Sequence, residues 1–366
     1  LEAAGLDAYA DVQTDRGDAT VVVSGDAHWI AVAESSAGAG DATAAHLTSN
    51  AGDLYTSVSG NLTLDDTTGF ATTTGNLGVA VTGDLAVASL AAPAGYARIE
   101  VGGAITDNGD SDLDLEATSL QLVAGTGIGT LARDGGTYDP LEIDAGTLSV
   151  DLADGPLALE AADDLTIGAT AGTVRTLDAD GTSSDAFTPA GEALFGLLSR
   201  GGGTVSVVAD GDLLLAADPD HDPASARAVI GLSDDATPPV AGDLLLYARD
   251  TAQSPAHALT VNGRVSLAGG HATLRGTAGI TMGADSRVET TGTGSTGTLT
   301  LLSASGGLTM VSGALLSAVG GDVVAEVDGP LAVAGITTAG TVSLTTGAAL
   351  TDSEPASTNV TAAALR

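Results

Sequence analysis

The stretch Gly146-Thr147-Leu148-Ser149-Val150 decides the fold, because its form returns along the whole chain. It recurs as Gly60-Asn61-Leu62-Thr63-Leu64, Gly83-Asp84-Leu85-Ala86-Val87 and Gly203-Thr204-Val205-Ser206-Val207. Further copies are Gly297-Thr298-Leu299-Thr300-Leu301 and Gly340-Thr341-Val342-Ser343-Leu344. A turn residue followed by period-2 alternation is a short strand with one buried face. Successive glycines such as 52 and 60, 75 and 83, or 313, 321 and 329 stand about eight or nine residues apart. Helix is excluded at that glycine density, each glycine costing about 1 kcal/mol relative to alanine. Five-residue strands with three-residue turns coil, and three strands per turn predict rungs of roughly 20–25 residues.

The predicted fold is therefore all-β, a right-handed parallel β-helix or β-solenoid with loop insertions. The glycine turns the corner where the backbone is crowded or φ is positive. The two aliphatics point inward and stack on the next rung, and the residue between them (Thr63, Ala86, Ser149, Thr300) points outward. We expect residues 1–366 to be one continuous solenoid, a segment of a longer protein, since both ends run in repeat-like text. Residues 1–50 are less regular, with strands expected at 19–23 and 29–33. Loop excursions are expected near 88–98, 130–141, 176–201, 216–241 and 248–258. In the first large one, Thr188-Pro189 reads as an N-cap and first helical residue, and Glu192 to Arg200 as a short helix stopped by Gly201. A β-sandwich array is disfavoured: it needs longer strands and a buried aromatic per module, whereas only nine aromatics are spread over 366 residues.

Composition agrees. Hydrophobic residues make up 43% but aromatic ones only 2%, so the core is built of Ala, Val, Leu and Ile, side chains that repeat in narrow layers. The formal net charge is −36, and the 11 basic residues are all arginine. Such a surface repels nucleic acid and anionic lipid, and screening by salt or divalent cations weakens its self-repulsion. There is no cysteine, which removes disulfides and thiolate-bound metals. No apolar run reaches membrane-spanning length.

A resemblance adds to this reading. Leu120-Gln121-Leu122-Val123-Ala124-Gly125-Thr126-Gly127-Ile128-Gly129-Thr130 is followed by Asp139-Pro140-Leu141-Glu142-Ile143-Asp144 and then by Gly146 to Val150. This run, with the Gly-Asp-Leu phrases at 52–54, 83–85, 211–213 and 242–244, resembles the repeats of filamentous-haemagglutinin-like proteins and covers most of residues 50–366. The resemblance implies a large secreted or surface-anchored bacterial β-solenoid of the two-partner-secretion or autotransporter-passenger type. It implies an extracellular or cell-surface location. The implied role is a structural, adhesive rod segment, with glycans or proteins of a host or neighbouring cell as partners. The alternative is a filament or sheath subunit stacking end to end on copies of itself, and a third reading is a carbohydrate-active β-helix enzyme.

Chemistry is sparse. The acidic pairs Asp65-Asp66, Asp163-Asp164 and Asp234-Asp235 are explained by turn preference, and a glycosidase needs two carboxylates at controlled separation with one buried. His28, His46, His221, His257 and His271 lack metal-site spacing, and no Gly-x-Ser-x-Gly elbow occurs. The chain reads as non-enzymatic, with no catalytic or cofactor-binding residues. Calcium is the one ligand to weigh. Asp218, Asp220 and Asp222 have the Asp-x-Asp-x-Asp start of a calcium loop without its glycine and distal glutamate. Asp110, Asp112 and Asp114 share one face of an extended segment. The competing account of both groups is a diffuse acidic surface. With small outward residues in the repeats, specific activity is expected in the interruptions, chiefly 176–201 and 216–241.

Overall fold

The structure is a computed structural model. It describes residues 2–3, 8–11, 19–23, 27–31, 42–43, 45–49, 52–58, 60–64, 69–108, 112–131, 138–174, 176–177, 183–184, 194–218, 228–232, 242–251, 256–291, 296–355 and 357–366. The architecture is the right-handed parallel β-helix that the repeated phrase predicts. By packing, the chain divides into two units, Leu1–Leu159 with Thr170–Leu194, and Glu160–Ala169 with Phe195–Arg366.

In the second unit three parallel ladders are complete. The first runs through Val205–Ala209, Leu244–Ala248, Ala272–Gly276, Leu299–Ser303, Val323–Val327 and Thr341–Thr346. The second runs from Leu165–Ile167 through Leu213–Leu215, Ala258–Val261, Gly279–Met282, Gly307–Met310 and Leu331–Val333 to Leu350–Asp352. The third joins Leu197–Ser199, Ala228–Leu232, Arg264–Leu267, Arg287–Thr290, Leu315–Ala318 and Gly335–Thr338. Partners one rung apart are separated by as few as 19 residues, as at Asp322 and Thr341, and by 28 at Asp114 and Glu142 of the first unit. The variable lengths reside in the turns; the strand registers stay aligned.

The first unit is built the same way. Ala27–Ala31, Leu54–Val58 and Leu77–Val81 stack in register, and Leu77 continues to Ala97, Leu120 and Leu148. Its strands Leu90–Val101, Leu115–Ala124 and Leu141–Leu152 are long because each bends around a corner and serves two ladders. The first two pair with a register shift between Ala92 and Tyr96.

Inward alternation is as the phrase dictates. Leu85 and Val87, Leu148 and Val150, Val205 and Val207, and Leu299 and Leu301 are all fully buried. Each places aliphatic area on the same position one rung away, and burying such a side chain stabilises by about 1.5–3 kcal/mol.

The corner before the first ladder explains the glycine. Gly242, Gly270, Gly297, Gly321 and Gly340 stack there, and an added Cβ would fall 1.5 Å from the Gly242 carbonyl oxygen at Gly270 and 2.1 Å from that of Gly270 at Gly297. Crowding by the rung beneath, not a positive φ, excludes a side chain. The residue after the glycine then binds the next rung. Asp243 Oδ1 accepts the His271 amide at 2.9 Å, His271 Nδ1 accepts that of Thr298 at 3.1 Å, and Asp322 Oδ1 accepts that of Thr341 at 2.6 Å. Asp53 and Asp84 accept the amides of Asn76 and Ala104, and Asp212 that of Ala258. All four Gly-Asp-Leu aspartates thus cap the following turn.

Two expectations are corrected. The helix over Glu192 to Arg200 is absent: Leu194–Phe195 and Leu197–Ser199 are strands, with Gly196 at φ +71° between them. Leu197 pairs beside Ile230 and is buried, so it faces a ladder core as a strand residue. No helix occurs among the described residues. Thr188 and Pro189 lie outside them.

The second correction concerns the outward residues. Thr63 is exposed and Ala86 and Thr300 are half-exposed, but Ser149 is completely covered. The segment 170–174 crosses the outer face of the first unit like a strap. Thr170 Oγ1 shares a hydrogen bond with Ser149 Oγ, Gly172 lies against Tyr96, and the Thr173 carbonyl accepts from Asn76 Nδ2 at 2.9 Å. Beneath it Tyr96 Oη and Arg98 Nη1 both donate to Gln121 Oε1, and burial pushes the Tyr96 phenol up from its ordinary pKa.

Replacing Asp243 by alanine should destabilise the second unit by about 0.5–2 kcal/mol, the range of a lost helix cap, whereas Asp243→Asn should retain most of the stability. Urea midpoints, with hydrogen exchange of the His271 amide, read both.

Candidate functional site

Asp107, Asp114 and Glu142 converge at a corner of the first unit, each offering a carboxylate oxygen within 4.8 Å of the others. Local folding puts them there. Asp107 ends the strand Ala104–Asp107 and pairs beside Val87, in the inward row where the preceding rung carries a fully buried valine. The chain then turns and enters Leu115–Ala124, with Asp114 immediately before it. Glu142 is the second residue of Leu141–Leu152, one rung on, where Leu115 pairs beside Ile143.

Backbone bonds fix the corner on both sides. The Asp114 amide donates to the Glu142 carbonyl at 3.1 Å and the Asp114 carbonyl accepts from Leu90 at 2.7 Å. The Glu142 amide donates to Asp114 Oδ2 at 2.9 Å. Asp114 is 1% exposed and Asp107 8%. The second oxygen of Asp114, Oδ1, is buried and makes no hydrogen bond. Burial raises the Asp114 pKa to about 9; the Glu142 amide works against this, while the negative charges of Asp107 and Glu142 add to it. Three carboxylates at this spacing cannot all stay ionised unaided. Chemically the corner can share protons or take a hard cation.

Of the residues singled out in the sequence, Asp114 belongs to this cluster. Asp112 is exposed and outside it, Asp218 is half-buried elsewhere, and Asp110, Asp220 and Asp222 lie outside the described residues. Much of 176–201 and 216–241, where activity was expected, also lies outside them. Sequence reading missed Asp107 and Glu142. Asp107 was signalled, since Ile105-Thr106-Asp107 breaks the aliphatic alternation that Leu85-Ala86-Val87 keeps. Glu142 occupies an ordinary outward position with no local signal. Among the acidic pairs Asp163 is exposed, and Asp164 accepts the Asp212 amide at 2.7 Å as another turn cap.

The second unit carries a lateral feature. Along the outer face of its first ladder, Tyr247, Arg275, Leu302, Glu326 and Thr345 stand in one row, rung after rung. The Arg275 guanidinium lies 4.3 Å from the centre of the Tyr247 ring, a cation–π arrangement. Arg275, Leu302, Glu326, Asp328 and Thr345 line an open groove of about 540 Å³. The row carries an aromatic face, a cation, an aliphatic side chain, one carboxylate and a hydroxyl, and Asp328 adds a second carboxylate to the groove.

Comparison of the chain with protein families, with curated proteins and with solved structures finds no match.

In cation-free buffer, stability should fall as pH rises from about 4 to about 9. Asp114 is protonated in the folded corner over that range and ionised in the unfolded chain, whose carboxylate pKa is about 3.9, so the folded state binds the extra proton. Asp114→Asn should flatten this dependence and raise the melting temperature at pH 8. Thermal melts across pH in the presence of chelator check it.

Proposed function

We propose that this chain is a structural, adhesive segment of a secreted or surface-borne bacterial protein, non-enzymatic, whose lateral faces contact glycans or proteins of a neighbouring surface. The observation that carries the reading is the Tyr247–Thr345 row. A rigid parallel ladder repeats an outward position from rung to rung and lines it with groups suited to polar, hydroxyl-rich partners: an aromatic face, a guanidinium, a carboxylate and a hydroxyl. The groove is open to solvent rather than closed around a reacting centre.

Supporting it, the turn aspartates Asp53, Asp84, Asp212 and Asp243 have structural work as caps, which accounts for these carboxylates without a catalytic role. The Gly-Ile-Gly and Pro-Leu-Glu-Ile runs, which resemble filamentous-haemagglutinin-like repeats, fall on stacked strands of the first unit. An outer surface with net negative charge disfavours nucleic acid and anionic membrane as partners.

The test uses the purified chain, displayed on beads, against a panel of cell-surface glycans and intact cells. Retention is expected at near-physiological salt, and Arg275→Ala and Tyr247→Ala should each weaken it at least tenfold with unchanged circular dichroism. Retention indifferent to both substitutions, or cleavage of a polysaccharide that depends on one carboxylate, would overturn the reading.

A further inference from the structure

The buried corner of the first unit asks for a ligand independently of the lateral groove. We propose that Asp107, Asp114 and Glu142 hold one calcium-sized divalent cation that cross-ties two successive rungs. Two observations support this separately. One is the convergence of three carboxylates within 4.8 Å, contributed by both sides of one turn and by the next rung. The other is Asp114 Oδ1, an oxygen of a side chain 1% exposed that receives no hydrogen bond although its Oδ2 is held by the Glu142 amide. A buried carboxylate oxygen needs a donor or a cation.

The donor set selects the class of ion. It is entirely carboxylate oxygen, which suits hard cations and disfavours zinc and copper. Oxygens at 2.3–2.6 Å from a calcium ion can stand as far as about 5 Å apart, whereas about 4.2 Å is the limit around magnesium. Three oxygens within 4.8 Å of one another lie in the range that calcium, with its longer bonds and flexible shell, gathers readily, whereas magnesium demands near-ideal octahedral geometry at about 2.0–2.1 Å and gives up its water reluctantly. Three carboxylates supply three to six oxygens, depending on how many bind through both, and water completes the shell. The rung that bears Asp107 and Asp114 and the rung that bears Glu142 are already joined through backbone bonds. The ion therefore meets oxygens held at fixed separation and loses little to reorganisation.

The role is structural. At the position where Val87 seals the preceding rung, Asp107 places a charge in the inward row. An ion there replaces apolar packing by coordination and holds the two strands that leave the turn.

The experiment is calorimetric titration of chelator-treated, full-length chain with calcium chloride, then magnesium chloride, at 150 mM sodium chloride. One calcium per chain is expected, with a dissociation constant on the order of 10⁻⁴ M, at least tenfold weaker binding of magnesium, and a raised melting temperature. Asp114→Asn and Glu142→Gln should each weaken calcium binding tenfold or more; Asp163→Asn, an exposed turn acid elsewhere, should not. Hydrogen exchange of the unsubstituted protein gives a reading that does not depend on the variants folding: calcium should slow exchange at Asp107, Asp114, Glu142 and their neighbours. Absence of saturable binding, binding unchanged in both variants, or protection confined to other parts of the chain would overturn the site.

Discussion

The repeat distance between rungs governs everything else in this molecule. Parallel strands stack at about 4.8 Å, and at a corner, where one turn lies directly on another, that distance leaves no room for a Cβ. The stacked glycines from Gly242 to Gly340 are the direct result. Once the backbones are that close, the turn amides of one rung have no strand partner, and a short acceptor on the turn below is the natural solution. Asp53, Asp84, Asp212, Asp243 and Asp322 supply it, and His271 does so with a ring nitrogen. Glycine and aspartate recur together because they answer two halves of one steric problem.

This changes the meaning of the acidity. Many carboxylates are not a coating but fixed acceptors in the turns. Two arginines tie acids across rungs: Arg249 with Asp210 and Glu160, and Arg264 with Glu289. Asp107, Asp114 and Glu142 stand apart from both groups because they are concentrated at one corner, with Asp107 and Asp114 buried there.

The fold was legible because its information is local: five residues of Gly-x-aliphatic-x-aliphatic specify a turn, a strand and its buried face. The supposed helix at Glu192 to Arg200 failed for an instructive reason. Leu194, Leu197 and Leu198 satisfy helical spacing, yet the ladder needs only Leu197 inward, paired beside Ile230. The covering of Ser149 by residues 170–174 was invisible because it joins positions brought together only by coiling. The acidic corner was half legible. Asp114 stood out in a run of acids and Asp107 broke an alternation, but Glu142 comes from the next rung, at a sequence distance set by the intervening turn.

The turn caps also give the stack a direction. Each aspartate accepts from the rung that follows it in sequence, never from the one before, at Asp53, Asp84, Asp212, Asp243 and Asp322 alike. A plane drawn between any two such rungs therefore separates unlike surfaces, one presenting carboxylates and the other bare amides. During synthesis from the amino terminus, each rung that bears such a cap offers the next its acceptor already in place. Assembly from the opposite end would instead leave amides waiting for their acceptors. The same asymmetry is a barrier to pairing two like surfaces head to head, since carboxylate would meet carboxylate. Polarity is thus written into the chemistry of the turns themselves.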